Sequence, residues 1–183
     1  MHDRTKMEGE MLTVSVTGHR PHYFKDPVQE RIAFRLNFHS FIRDRIPHRL
    51  RHKDGKGGHE RIEGLIALCG GAQGVDTWAA EFCYEYGIPF HLYVPFEFDV
   101  HTKSWDEAAK LALRNCMDKC SKYVVVHQGQ YYPAGYQKRN VALVDNSDTL
   151  VTYMEKMASG SGNCLKYAQR VGKEIIHLRG VPC

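Results

Sequence analysis

The chain has 183 residues, 43% hydrophobic and 25% charged, with a formal net charge of +4. That length and apolar share fit one domain with a substantial core and exclude the compositions that stay disordered. No apolar run approaches the roughly 20 residues that cross a bilayer, and the polar start Met1–Glu10 has no signal-peptide core. The expectation is a cytoplasmic protein with no membrane partner: a disordered leader over residues 1–10, then a single domain over 11–183.

Leu12 to Thr17 reads as a first strand, ended by Thr17-Gly18-His19-Arg20-Pro21. A hydroxyl, a close backbone, an imidazole and a guanidinium at a strand end suit phosphate or ribose recognition. Pro27 to about Ile46 reads as a helix, with Asp26 as N-cap and Pro27 at the first helical position. Its apolar positions Val28, Ile32, Phe34, Leu36, Phe38, Phe41 and Ile42 are denser than a narrow amphipathic stripe. His48 to Glu60 is polar and Gly-rich, hence a loop or extended helix end. The basic residues Arg43, Arg45, Arg49, Arg51, Lys53, Lys56 and Arg61 cluster here against only Asp44, Asp54 and Glu60. They read as a solvated surface or as a phosphate-backbone contact, though no interleaved aromatics suggest base stacking. The mild net charge favours anionic ligands without requiring nucleic acid.

Leu65 to Cys69 is a short apolar strand running into Gly70-Gly71-Ala72-Gln73-Gly74-Val75-Asp76, and Val75 to Tyr86 is a helix closed by Gly87. Three glycines within five residues weaken the backbone entropically, so packing alone is a poor reason for them. Asp76 is placed either to cap the helix or to accept a ribose hydroxyl. Phe90 to Pro95 is a third strand, followed by a connecting loop and a helix from Ser104 to Lys119. Tyr123 to His127 is a fourth strand. After it, Tyr131, Tyr132 and Tyr136 could wall a base, with Lys138 and Arg139 supplying charge. Tyr136 to Val144 is a short helix and Thr149 to Tyr153 a fifth strand. Ser159-Gly160-Ser161-Gly162-Asn163 then precedes a helix from Cys164 to Val171, and Ile175 to Leu178 is the last strand. Two glycines with two hydroxyls form an anion cradle.

The six cysteines do not make a disulfide scaffold. Cys69 and Cys83 fall in a strand and on a helix. Cys116 and Cys120 sit one helical turn apart, but no second pair follows at zinc-site spacing. Reduced structural thiols, with no metal and no cofactor, are expected.

Strands alternating with helices imply an α/β fold with a doubly wound, mostly parallel sheet and helices on both faces. Ligands then bind beyond the carboxyl ends of the strands, at a topological switch point, and the Gly-rich turns lie at those ends. A helix N-terminus there offers unpaired N–H groups to an anion.

In this order, Thr17–Pro21, Gly70–Asp76, Arg139–Asp148 and Ser159–Asn163 resemble the SLOG superfamily, which joins DprA/Smf-type proteins with the LOG phosphoribohydrolases. The likeness is to its YpsA-like branch and runs from about Leu12 to Leu178. It implies a Rossmann-like fold binding nucleotides or nucleotide-derived ligands, often as a homodimer. The LOG enzymes cleave the N-glycosidic bond of nucleoside monophosphates, using an Arg-Lys pair and a Pro-Gly-Gly-x-Gly-Thr loop followed shortly by Glu. Arg139 matches that arginine, whereas Asn140 stands in place of the lysine and Asn163 in place of the threonine. Cys164-Leu165-Lys166 stands where the acidic residue should come. Glycosidic cleavage needs a carboxylate to stabilise oxocarbenium character or to activate water, and a lysine does neither well.

The sequence therefore reads as a nucleotide-binding module whose ligand is a purine nucleotide or an ADP-ribose-like molecule. Gly71, Gly74, Ser159, Gly160, Ser161 and Gly162 would hold phosphate, Arg20 and Arg139 would supply charge, and Tyr132 or Tyr136 would face the base. Asp76 would meet ribose hydroxyls. Thr17, Gly18, His19, Gly70, Ala72, Asn140 and Asn163 complete the candidate site. The alternative is a nucleoside-monophosphate N-glycosidase using Glu155 or Asp76 as its carboxylate. A third reading, DprA-like single-stranded DNA binding, rests on the basic stretch and ranks below both.

Overall fold

The computed structural model describes residues 11–54 and 56–180, so the expected leader lies outside the described residues. Strands β1 (Leu12–Gly18), β4 (Leu65–Cys69), β5 (Phe90–Val94), β6 (Lys122–Val125), β7 (Thr149–Tyr153) and β8 (Glu174–His177) form one sheet. The order is β6-β5-β4-β1-β7-β8 and every pairing is parallel. Between β1 and β4 in the chain lies a small antiparallel pair, β2 (Arg51–His52) with β3 (Arg61–Ile62). The helices are α1 (Pro27–Arg45), α2 (Val75–Glu85), α3 (Phe98–His101), α4 (Glu107–Lys119), α5 (Gly135–Asp145) and α6 (Gly160–Arg170).

The central strands are apolar runs because both of their faces are covered. Val14, Val16, Ala67, Cys69, Val151 and Tyr153 point to one face, against α1, α2 and α4. Leu68 and Leu150 point to the other, where α5 and α6 pack. The first face is aromatic: Phe34 lies between Phe38 and Tyr153, and Phe38 meets the Phe82 ring edge-on. Asp26 caps α1 by accepting from the N–H groups of Val28 and Gln29, an arrangement that contributes about 1 kcal/mol. The density of apolar residues on α1 resolves into two faces. Phe34, Phe38, Phe41 and Ile42 are buried, while Val28, Ile32 and Leu36 form an exposed stripe.

Two departures from the sequence reading matter for the site. The helix expected from Cys164 begins at Gly160, with Ser159 as its N-cap, so the Gly-Ser segment is the first turn of α6 rather than a loop before it. The connection after β5 is not all loop, because α3 carries His101 into the interior. The basic stretch Arg43–Arg61 also acquires structure, with Arg45 paired to Glu174 and Arg61 to Glu63. It links the end of α1 to the start of β4, which places it at the amino edge of the sheet.

Candidate functional site

The chain leaves β1 on one side and, after β6, crosses to the other to form β7, so the switch point lies between β1 and β7. At their carboxyl ends the backbones interlock. His19 N–H donates to Tyr153 O (3.2 Å) and Val75 N–H to His19 O (3.3 Å). The Ser161 hydroxyl donates to Gly18 O. Above this junction opens a cleft of about 330 Å³. Its walls come from the β1 end (Thr17 to Arg20, His22, Tyr23), the β4 turn (Ala72, Asp76), α5 (Tyr136, Arg139, Asn140) and the first turn of α6 (Ser159, Gly160, Ser161).

Most of the glycines are committed to the protein itself. A Cβ on Gly70 would lie 1.5 Å from Arg139 Nη1 and 2.5 Å from Asp76 Oδ2, so this glycine is the floor on which an ion pair rests. Gly74 has φ +90° and a Cβ there would reach His19 O at 2.5 Å; it lets the β4 turn close against the β1 turn. A Cβ on Gly162 would meet Met157 O at 1.9 Å. Beside Gly160, by contrast, the space is open.

The ion pair is buried. Arg139 Nη1 donates to Asp76 Oδ2 at 2.9 Å, and the N–H of Ala72 donates to the same oxygen at 3.2 Å. Asp76 thus ties α2, the β4 turn and α5 together, and Gly74 rather than Asp76 occupies the N-cap position of α2. Burial pushes the Asp76 carboxyl above its ordinary range, and Arg139 works against that shift. Among the described residues lining the cleft, Asp76 is the only carboxylate.

Three buried polar atoms around this pair have no partner among the described residues: Arg139 Nε, His19 Nδ1 and His101 Nδ1. His19 stacks on Tyr23 (4.5 Å between centroids), and its Nε2 accepts from the N–H of Lys156 at 3.0 Å. Burial lowers its pKa, against the pull of Glu155. The neutral ring therefore carries its proton on Nδ1, an unused donor. Leaving a buried donor unpaired costs about 1–3 kcal/mol. His101 donates from Nε2 to Gly71 O (3.1 Å), and burial lowers its pKa to about 4. It holds the β4 turn from behind; nothing in the sequence pattern singled it out.

Positive potential comes from two sources. Arg20 has no ion-pair partner among the described residues. The first turn of α6 leaves the N–H groups of Gly160 and Ser161 without intrahelical acceptors, since the Ser159 hydroxyl accepts only from Gly162 N–H, at 3.0 Å. The Ser159 and Ser161 hydroxyls are thus engaged, one in capping and one on Gly18. Asn140 spans the helices, donating to Gly160 O (3.1 Å) and Gln137 Oε1 (3.4 Å).

The structure brings Thr17, Gly18, His19, Arg20, Ala72, Asp76, Tyr136, Arg139, Asn140, Ser159, Gly160 and Ser161 to one cleft. Gly70, Gly71, Gly74 and Gly162 stand behind its surface. Tyr132 is displaced to a neighbouring loop, its ring 5.3 Å from Lys138 Nζ, and Asn163 faces outward from α6. Glu155 is not in the cleft lining; it accepts from Arg179, which also holds Glu30 at 2.8 Å. Five thiols among the described residues are free, and no cluster of three or more His, Cys, Asp or Glu that could hold a metal forms among those residues. Cys116 is buried, with its pKa raised to about 12 by desolvation, and the Cys120 thiol donates to Met117 O.

A parallel sheet with helices on both faces and a cleft at its switch point defines a Rossmann-like α/β domain. The YpsA model, described as the YspA SLOG family, matches residues 14–174, and the chain belongs to that family. It is 26% identical over 118 residues to the uncharacterized SPbeta prophage-derived protein YoqJ of Bacillus subtilis (strain 168), covering 56% of this chain and 68% of that protein. Three solved structures share the fold. DNA processing protein A (DprA) of Streptococcus pneumoniae has a TM-score of 0.63 and 16% identity over 93% of this chain. The protein TM1055 gives 0.58 and 18% over 94% of this chain and 76% of its own length. The Helicobacter pylori DprA, described for its single-stranded DNA binding mode, gives 0.61 and 16% over 92% of this chain and 65% of that protein. This chain spans about half (51%) of the pneumococcal protein. No helix among the described residues is long and apolar enough to cross a membrane.

Proposed function

We propose that this chain binds a phosphorylated nucleotide-type ligand, a purine nucleotide or an ADP-ribose-like molecule, and holds it without cleaving it, as a sensor or sequestering module. One observation carries the reading: the cleft combines unpaired donors with one carboxylate among its described lining residues, and that carboxylate is already paired with Arg139. The N–H groups of Gly160 and Ser161 and the Arg20 guanidinium receive phosphate. Arg139 Nε and His19 Nδ1 supply buried donors, and Tyr136 offers an aromatic face. Asp76 acts by positioning Arg139.

The N-glycosidase alternative needs a carboxylate free to act on ribose or water. Asp76 is bound to Arg139, and Glu155 lies outside the cleft lining in a pair with Arg179. Single-stranded nucleic acid is the second reading, supported by the fold likeness to the H. pylori DprA. It predicts binding that weakens steeply with salt. A homo-oligomer and a cytoplasmic location belong to the same proposal, and light scattering on the full chain decides the first.

The test is a thermal-shift screen with nucleoside mono- and diphosphates, ADP-ribose and dinucleotides, followed by chromatography of each stabilising ligand. Stabilisation by about 2.7 kcal/mol at a hundredfold excess over Kd, with no free base released, is the expected result. Release of free base would replace the binding module with the glycosidase.

A further inference from the structure

A second opening, of about 450 Å³, runs along the outer faces of α5 and α6, lined by Gln137, Asn163, Lys166, Tyr167 and Arg170. Lys166 and Arg170 stand four residues apart on α6, a spacing that puts both heads on one side of the helix, where like charges repel. Neither has an ion-pair partner among the described residues. The carboxylate touching this lining, Asp145, accepts from the Tyr167 hydroxyl at 2.8 Å, and the Arg170 guanidinium lies 5.0 Å over the Tyr167 ring. The groove thus presents two uncompensated cations between two amide side chains.

It also adjoins the cleft. Asn140 lines the cleft and donates to Gln137, which lines the groove, and to Gly160 O, which lines the cleft. A hydrogen bond between two side chains thus joins the linings of the two openings. We propose that the groove is a second phosphate subsite, taking a phosphate further along the same ligand whose first phosphate sits at the α6 N-terminus. The inference rests on the cleft reading above and narrows it to ligands with at least two separated phosphates. Lys166, which departs from the acidic residue of the LOG pattern, acquires a role on this view: it contacts ligand outside the cleft and takes no part in bond cleavage. Such a ligand is either a small molecule with two phosphates or a single-stranded oligonucleotide presenting successive backbone phosphates.

The test titrates the full chain and its Lys166→Gln/Arg170→Gln variant with three probes: a nucleoside 5′-monophosphate, the matching 3′,5′-bisphosphate, and a short 5′-phosphorylated single strand. Both substituted positions are exposed, and circular dichroism verifies the variant's fold. The wild type is expected to prefer the bisphosphate, and the variant to lose at least about tenfold in the ratio of bisphosphate to monophosphate affinity. If the single strand binds tightest, and its salt slope falls by about 0.7 per lost phosphate contact in the variant, the natural source is an oligonucleotide; tighter bisphosphate binding assigns a small molecule. A monophosphate that binds as well as the bisphosphate, with no change in any ratio, overturns the subsite and leaves the cleft reading standing. No binding of any probe overturns both.

Discussion

Gly70→Ala is a one-methyl change whose sign tests the architecture of the site. Gly70 does not have a positive φ, so its backbone accepts alanine without strain. On backbone grounds alone the substitution would stabilise by about 0.4–1 kcal/mol through the unfolded chain. The structure predicts the reverse. The three heavy atoms nearest the new Cβ are Arg139 Nη1 (1.5 Å), Asp76 Oδ2 (2.5 Å) and Arg139 Cζ (2.6 Å), and every one belongs to the buried pair. The guanidinium must shift, which strains or breaks its pair with Asp76, only 4% exposed in its side chain. Outright loss of one partner of such a pair costs about 3–5 kcal/mol, an upper bound that for a chain of this length corresponds to a melting temperature lower by roughly 6–20 °C. Urea denaturation of Gly70→Ala gives the value. The control is the same substitution in an Asp76→Ala/Arg139→Ala background, where all three obstructing atoms are gone and the change becomes neutral or mildly stabilising. Neutrality of Gly70→Ala in the wild type, or an equal loss in both backgrounds, would refute the argument that this glycine exists to seat the ion pair.

The two glycines of the α6 first turn should separate cleanly by denaturation. Gly160→Ala meets open space and changes stability by no more than about 1 kcal/mol, whereas Gly162→Ala drives a methyl into Met157 O and costs at least about 1–3 kcal/mol. Ser159→Ala removes the cap that accepts from Gly162 N–H and costs about 1 kcal/mol. For pH, His101 is held neutral with its pKa lowered from 6.5 to about 4. The unfolded chain therefore takes up a proton that the folded chain refuses, and stability is lost as pH falls from about 6.5 toward 4, at about 1.4 kcal/mol per pH unit per histidine. Burial lowers the His19 pKa as well, so it contributes in the same direction. His101→Gln should flatten the slope measured by denaturation at a series of pH values; an unchanged slope would remove His101 from the account.

The sheet was legible because its strands are buried on both faces and read as continuous apolar runs. Leu65–Cys69 and Thr149–Tyr153 form strands over those same residues. Asp26 before Pro27 marked a helix start by local chemistry alone. The α6 start was missed because Gly-Ser-Gly is a poor helix former, and the Ser159 cap that overrides it becomes visible only in three dimensions. The two-residue strands β2 and β3 and the four-residue α3 are too short to show a period. The glycines were recognisable as special, but the reason was not. Gly70 answers to Arg139 and Gly162 to the Met157 carbonyl, and a single sequence does not display such pairings. His101 is the clearest omission: its partner is the Gly71 carbonyl, thirty residues away in sequence.

The most direct test of the central claim is calorimetric titration of a nucleoside monophosphate into the wild type and into Arg20→Ala, with the mixtures then assayed for free base. Arg20 has no ion-pair partner among the described residues, so its removal spares the fold and takes only ligand contact. Saturable binding by the wild type, at least about tenfold weaker binding by the variant, and intact nucleotide at the end are expected. Equal affinity of the two proteins, or accumulation of free base with the wild type, would contradict it.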